Sequence, residues 1–266
     1  MPSAAPSLDG FDQTTFTDGD AHWPLYRAGA GPAVVVLHEV PGITPPVAAF
    51  ALRVAGAGFS VYMPSLFGTP GKPFTVGYDI AQLARACISR EVYVLSRRGS
   101  SPLAKRMRAL CRHAHAEQGG PGVGVIGMCL TGNFALSMMV DPSVMAPVLS
   151  QPSLPFGFTR RHHEALHLDH DELLVVRERT AEGVSVLGLR FTHDVLCPGA
   201  RFERLRAELG DGFEGIEINS GPGNPHGLPR AAHSVLARDL VDEVGHPTRA
   251  ALDRVLGFLD ERLRET

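Results

Sequence analysis

Short apolar runs that alternate with amphipathic stretches constrain the fold of this chain more than any other feature. Continuous runs of Val, Ile and Leu are typical of parallel strands buried on both faces of a sheet. The predicted strands cover residues 34–37, 60–63, 123–126, 144–149, 184–191 and 215–218. This alternation predicts an α/β fold in which helices flank a mostly parallel, doubly wound sheet.

The stretches between these runs have helical periodicity. They predict helices at residues 47–57, 80–97, 102–117, 133–140, 172–181, 200–209 and 248–264. Residues 1–30 are expected to form an N-terminal extension or an additional antiparallel pair of strands. Because no Pro/Ser-rich linker or charge block divides the sequence, residues 1–266 are expected to form a single domain.

Composition narrows the class of function. The formal net charge of −3 gives no electrostatic reason to expect binding to nucleic acid or to an anionic membrane surface. No apolar run approaches the ~18 residues of a spanning helix, and the N-terminal residues do not resemble a signal peptide. We therefore expect a cytoplasmic protein that acts on a small molecule, as a monomer or a homodimer.

Cysteine and histidine positions give little indication of a metal. The cysteines, at positions 87, 111, 129 and 197, include no C-x-x-C pair and are expected to be free thiols. A polar cluster contains His162, His163, His167 and His170. A metal site there is one interpretation, but adjacent histidines beside two arginines are more typical of an exposed loop. Neither a metal nor a cofactor is expected.

The most reactive candidate is Cys129, which follows a predicted buried strand and precedes a helical pattern. A strand, a sharp turn and a helix form the elbow that exposes the nucleophile of α/β-hydrolases, here with cysteine in place of serine. The helix N-terminus would stabilise negative charge on the sulfur. The alternative is a small, unreactive core residue.

Two polar residues that follow later strands could complete a catalytic set, because a thiol needs a base and the base needs an orienting group. Asp194 lies after the predicted strand 184–191, and His233 lies beyond the strand 215–218. Their order along the chain is nucleophile, acid and histidine, as in α/β-hydrolases. Asp194 could instead cap a helix, and His226 is a rival for the base.

Taken together, these motifs resemble the dienelactone hydrolase family. Residues 127–132 (G-M-C-L-T-G) are similar to the family's G-x-C-x-G-G, and residues 38–42 (H-E-V-P-G) to its Q-E-hydrophobic-F-G. Asp194 and Pro198 resemble its D-x-x-x-P, and residues 233–235 its G-H-S-F. The matches span most of the chain, which implies an α/β-hydrolase fold.

The resemblance implies a Cys129–His233–Asp194 triad that opens an ester or lactone through an acyl-enzyme. It implies that Glu39 contacts the resting thiol and assists its activation. The alternative is that Glu39 is a solvent-exposed carboxylate in a loop. Backbone N–H groups of Leu130 and Val40 would form the oxyanion hole.

The family holds its substrate carboxylate with arginines, for which Arg90 and Arg238 are the candidates here. Neither aligns securely with the family pattern, so surface arginines are an alternative reading of both. Thr131 departs from the family pattern, which has glycine at that position.

Two other functions remain open at this stage. The same triad could catalyse acyl transfer or thioester hydrolysis, and the fold could serve a binding protein without turnover. Residues 154–171, rich in Pro, His and Arg, could form a loop over the active site or an exposed connection.

Overall fold

A single sheet organises the chain in a computed structural model that describes residues 8–19, 21–75, 102–154 and 159–264. Within these residues the sheet has eight strands in the order β1-β2-β4-β3-β5-β6-β7-β8. The strands are β1 (Asp12–Asp18), β2 (Ala21–Ala28), β3 (Ala33–Leu37), β4 (Ser60–Pro64), β5 (Val123–Met128), β6 (Val144–Ser150), β7 (Val186–Phe191) and β8 (Phe213–Ile218). Strand β2 runs antiparallel to β1 and β4, and the other pairings are parallel.

Helices cover both faces of this sheet. They are α1 (Pro45–Gly56), α2 (Pro102–Gln118), α3 (Gly132–Met138), α4 (Arg160–His163), α5 (His170–Ala181), α6 (Gly199–Leu209) and α7 (Pro247–Leu263), with 3₁₀ turns at Cys129–Thr131 and Gly210–Gly212. Helices α1 and α7 pack on one face, and α2, α3, α5 and α6 on the other. No helix among the described residues is long and apolar enough to cross a bilayer.

The buried strands explain why this sheet forms. Every residue of β3, β5 and β7 is buried, so their Val, Ile and Leu side chains meet helices on both faces. Burial on both faces is the condition under which a parallel sheet is stable. The predicted α/β fold with a mostly parallel sheet is confirmed.

The structure differs from the prediction at element boundaries and adds detail in two segments. Strand β7 begins two residues later than predicted, because its pairing with β8 starts at Val186. The strands β1 and β2 form an antiparallel pair, which is one of the two forms expected for residues 1–30. Within the segment 154–171, the described residues 159–171 contain α4 and the start of α5, and whether the segment covers the active site stays a prediction. The predicted helix at residues 80–97 lies outside the described residues.

The parallel register places the carboxyl ends of the central strands along one edge. Leu37 pairs with Gly127, Met128 with Ser150, and Ser150 with Leu189. Side chains that directly follow these strands therefore lie close together, where ligands of wound α/β sheets bind.

Candidate active site

Cys129 occupies a strained turn between β5 and the 3₁₀ turn that leads into α3. Its backbone φ is 55°, in the left-handed region that non-glycine residues seldom adopt. A Cβ at Gly127 would lie 2.3 Å from the Thr131 carbonyl oxygen, so only glycine fits there. Cys129 itself is 7% exposed. The turn directs a nearly buried thiol to the edge where the strands end.

Thr131 ties this turn to the loop after β3. Its hydroxyl accepts a hydrogen bond from the Met128 N–H at 2.9 Å, and its single proton has three carbonyl oxygens within reach, those of Leu37 at 3.0 Å, His38 at 3.2 Å and Met128 at 2.9 Å. The side chain is fully buried. The residue that departs from the family's glycine thus joins the nucleophile turn to the Glu39 loop.

We expect Thr131→Val to impair both stability and turnover, because it leaves the buried Met128 N–H without its acceptor. The free energy of unfolding should fall by about 1–3 kcal/mol, with a parallel loss in kcat. Urea denaturation and ester-hydrolysis rates measure the two effects. Thr131→Ser keeps the hydroxyl and should restore most of both; equal losses in the two variants would contradict the assigned role.

Asp194 lies in the loop that follows β7 and is held by its neighbours. Its Oδ1 accepts a hydrogen bond from the Leu196 N–H at 2.9 Å. Arg190, buried on β7, donates to the carbonyl oxygens of Cys197 at 2.9 Å and Thr192 at 3.0 Å. These bonds fix the loop and leave Asp194 Oδ2 available to another donor.

His233 meets that second oxygen. Its Nδ1 donates to Asp194 Oδ2 at 2.7 Å, which leaves the lone pair of a neutral ring on Nε2. Nε2 is buried, and no group among the described residues meets it at standard hydrogen-bond distance and angle. Burial lowers the pKa of His233, but negative charge on Cys129 and the bond to Asp194 outweigh burial and raise it well above its usual value. The imidazole can therefore hold a proton taken from the thiol.

The rival histidine is elsewhere. His226 is exposed, and its ring packs against His246 with centroids 5.2 Å apart. Among the described residues Asp194 is hydrogen-bonded to His233 and not to His226. The geometry therefore favours His233 as the base.

Asp239, which sequence reasoning missed, supports the backbone at His233. Its Oδ2 accepts the N–H groups of His233 at 2.8 Å and Ser234 at 2.9 Å. No motif or spacing in the sequence indicated that Asp239 would accept these two N–H groups.

Glu39 is buried at the end of β3, and its carboxylate faces two donors. Oε1 accepts from Ser234 Oγ at 2.8 Å, and Oε2 accepts from Gln151 Nε2 at 3.2 Å. The expected hydrogen bond to the Cys129 thiol is not among the bonds of the described residues. Burial raises the pKa of Glu39, and the charge of His233 and the bond from Ser234 lower it. Gln151 was also missed, although its position two residues after the predicted strand 144–149 was a usable signal.

His38 fixes the loop that carries Glu39 and Val40. Its Nε2 accepts the Leu66 N–H at 3.0 Å, so Nδ1 must carry the proton that is donated to the Glu39 carbonyl oxygen at 3.0 Å. The ring is fully buried, which lowers the pKa of His38 to about 4. A neutral His38 therefore holds this loop in place.

This histidine predicts a pH-dependent loss of stability. In the unfolded chain His38 takes up a proton near pH 6.5, whereas in the folded chain it stays neutral down to about pH 4. The contribution of His38 to the free energy of unfolding is therefore fully present above pH 6.5. It is lost as the pH drops towards 4, and the loss amounts to about 3 kcal/mol. Urea denaturation from pH 7 to pH 4 measures the loss. His38→Gln, which keeps a donor and an acceptor, should flatten the curve; an unchanged slope would contradict the assignment.

The two candidate oxyanion donors belong to different loops, one after β3 and one after β5. Val40 follows Glu39, and its N–H makes no hydrogen bond in the part of the chain that is described. Leu130 is in the first turn after β5, where N–H groups lack intrahelical acceptors. Both amides are thus free to bind a developing oxyanion.

Of the two arginines that are candidates for binding a substrate carboxylate, only Arg238 lies among the described residues. Arg238 donates to Asp239 Oδ2 at 3.3 Å and stacks over the Phe74 ring at 4.8 Å, with its side chain 38% exposed. Arg90 lies outside the described residues. Binding of a substrate carboxylate by either one stays a prediction.

The segment from 159 to 171 is attached next to the nucleophile helix. Fully buried Arg201 donates to the carbonyl oxygens of His162 and Ala165, each at 3.0 Å, and to that of Pro152. Asn133 donates to the Leu166 carbonyl oxygen at 3.4 Å. Among the described residues, no group of three or more His, Cys, Asp or Glu side chains is arranged to hold a metal.

A mostly parallel sheet, a strained turn with a cysteine after β5, a carboxylate after β7 and a histidine bonded to that carboxylate are the arrangement of the α/β-hydrolase fold. The sequence profile of the dienelactone hydrolase family matches residues 25–261. The chain therefore belongs to the dienelactone hydrolase family, and the resemblance seen in its motifs is confirmed.

Solved structures agree with this fold. A dienelactone hydrolase from Anabaena variabilis has a TM-score of 0.60 at 15% identity, covering 96% of this chain and 100% of that one. A dienelactone hydrolase-like promiscuous phosphotriesterase from metagenomic libraries has a TM-score of 0.63 at 16% identity, covering 96% and 98%. A cold-adapted esterase from an Arctic intertidal metagenomic library has a TM-score of 0.58 at 13% identity, covering 98% of each. At these identities the likeness concerns the fold alone. None of the curated proteins matches the sequence.

Proposed function

We propose that this chain hydrolyses a small ester or lactone through an acyl-cysteine intermediate on Cys129. The observation that carries the proposal is the hydrogen bond between His233 Nδ1 and Asp194 Oδ2, at 2.7 Å. That bond leaves Nε2 able to take a proton beside a thiol at the start of a helix. Cysteine is the most nucleophilic side chain available for such a set.

In the first step His233 Nε2 takes the thiol proton and the sulfur attacks the substrate carbonyl carbon. Negative charge moves to the carbonyl oxygen, where the N–H groups of Leu130 and Val40 would bind it. The carbon–oxygen bond to the leaving group then breaks, and His233 gives its proton to the departing alkoxide. An acyl-cysteine remains, and in a lactone the leaving hydroxyl stays attached to the acyl group.

In the second step water attacks the acyl-cysteine. His233 takes a proton from that water, the tetrahedral intermediate collapses, and the thiolate is released and reprotonated by the imidazolium. Asp194 holds the ring orientation in both steps. The described cysteines Cys111, Cys129 and Cys197 are all free, which suits a reducing compartment such as the cytoplasm.

Trapping of the intermediate tests this proposal. Brief reaction with an activated ester, followed by acid quenching, should add one acyl mass that peptide mapping locates at Cys129. Cys111 and Cys197 serve as internal controls, since both are buried and burial raises their pKa, that of Cys197 to about 12. Ester turnover that continues after complete alkylation of Cys129 would exclude a cysteine nucleophile.

A further inference from the structure

Gln151 has a backbone conformation and a degree of burial that are unusual for a polar residue. It directly follows β6, has a φ of 35° and is fully buried. In the described part of the chain, positive φ at a non-glycine residue recurs only at Cys129 and His167. Such strain persists only where the surroundings enforce it, and it concentrates at functional sites.

The orientation of the Gln151 amide follows from its partners. The Val235 N–H donates to Oε1 at 3.3 Å, and the Ser150 hydroxyl donates to the same oxygen. An N–H can only donate, so the amide oxygen must face Val235. The amide NH₂ therefore faces Glu39 Oε2, at 3.2 Å. Gln151 thus joins the loop of the base to the loop after β3.

Ser234 is directed onto Glu39 by similar reasoning. Its Oγ accepts the Arg238 N–H at 3.0 Å, so its hydroxyl proton is free to donate to Glu39 Oε1 at 2.8 Å. Each carboxylate oxygen of Glu39 consequently has one donor. Donors of this kind stabilise the ionised form of a buried carboxyl group.

Charged groups around Glu39 act in both directions. On balance the pKa of Glu39 is raised: burial raises it most, the charge of His233, the bond from Ser234 and the charge of Arg238 lower it, and the charge of Asp239 raises it. Because burial is the largest of these influences, the ionised form depends on its hydrogen-bond donors. The Gln151 amide is one of the two.

We propose that Gln151 is a positioning residue that holds the Glu39 carboxylate, ionised, against the loop of the base and thereby sets how readily Cys129 is activated. The proposal rests on the proposed function and on the role that the family resemblance implies for Glu39, which is to assist activation of the thiol. Gln151 touches neither the substrate nor the sulfur in this role and acts through Glu39.

A double-mutant cycle tests whether Gln151 acts through Glu39. Gln151→Met keeps the side-chain length and removes the donor, and it should lower kcat/KM about tenfold, the effect of one lost bond to a charged group. In a Glu39→Gln background the same change should have almost no further effect. Gln118→Met is the matched control, because Gln118 donates to the Tyr62 hydroxyl at 2.9 Å, away from the site. It should leave kcat/KM unchanged.

The pH profile gives a second readout that a purely structural role would not alter. Loss of a donor to the carboxylate raises the pKa of Glu39, so the acid limb of kcat/KM should move up by about one pH unit. Gln151→Glu keeps the shape but presents oxygen instead of NH₂, and it should move the limb further in the same direction.

Two outcomes would overturn the role of Gln151. One is a loss in Gln151→Met that is equal with and without Glu39, and the other is an acid limb that does not move in either variant. Both are distinct from failure of the proposed function, which would appear as full activity in Cys129→Ala. If neither Gln151 variant folds, the cycle can be run with Ser234→Ala, which removes the other donor: a fall with no dependence on Glu39 again contradicts a role exerted through that carboxylate.

Discussion

Replacing Cys129 with alanine should lower kcat/KM for activated esters by about 10⁴- to 10⁶-fold, the range found when a triad nucleophile is removed. The reason is that neither of the other two described thiols can take its place, because Cys111 and Cys197 are fully buried in the core. The residual rate should come from the backbone amides at Leu130 and Val40 alone. Stopped assays with a panel of esters and lactones measure the loss.

Cys129→Ser is the informative companion to this variant. It should keep the fold but lose most turnover, because a serine hydroxyl needs stronger general-base help than a thiol. Cys197→Ser is the matched control and should retain activity. Near-normal turnover in Cys129→Ala would remove the acyl-cysteine proposal altogether.

Asp194→Asn should lower kcat/KM by about 10³- to 10⁴-fold with little change in the fold. The orientation of the new amide follows from the Leu196 N–H. This N–H donates to Oδ1 at 2.9 Å and needs an oxygen acceptor in the variant as well. The new amide therefore turns its NH₂ towards His233 Nδ1. The ring then has to accept at Nδ1 and carry its proton on Nε2, the tautomer that cannot deprotonate the thiol.

A matched substitution separates this effect from general destabilisation. Asp141 is similarly buried and accepts hydrogen bonds from Ser143, through its N–H at 3.0 Å and its hydroxyl at 2.7 Å. Asp141→Asn should cost stability without changing kcat/KM of the folded enzyme. Comparable rate losses in the two variants would show that Asp194 has no special part in orienting the base.

The sequence predicted the sheet well because its strands are buried on both faces. A strand such as β5 needs apolar residues throughout, and such runs are visible without knowledge of their partners. The same logic located Cys129 and Asp194, since side chains at the carboxyl ends of parallel strands share one edge.

The surroundings of Glu39 could not be predicted in this way. Its two hydrogen-bond partners, Gln151 and Ser234, lie 112 and 195 residues further along the chain. A sequence pattern shows that a carboxylate follows β3, but which donor meets it depends on loop conformations that long-range packing determines. The expected contact with the thiol came from resemblance alone, and the structure pairs the carboxylate with these two donors.

The way the segment from 159 to 171 is attached affects which amino-acid substitutions the segment can accept. Arg201 donates hydrogen bonds to the main-chain oxygens of His162 and Ala165, and Asn133 donates one to that of Leu166. Main-chain oxygens are common to every amino acid. The exposed side chains of the segment can therefore be exchanged while its anchorage stays intact, which makes it a natural place to select variants with altered substrate preference on an unchanged scaffold.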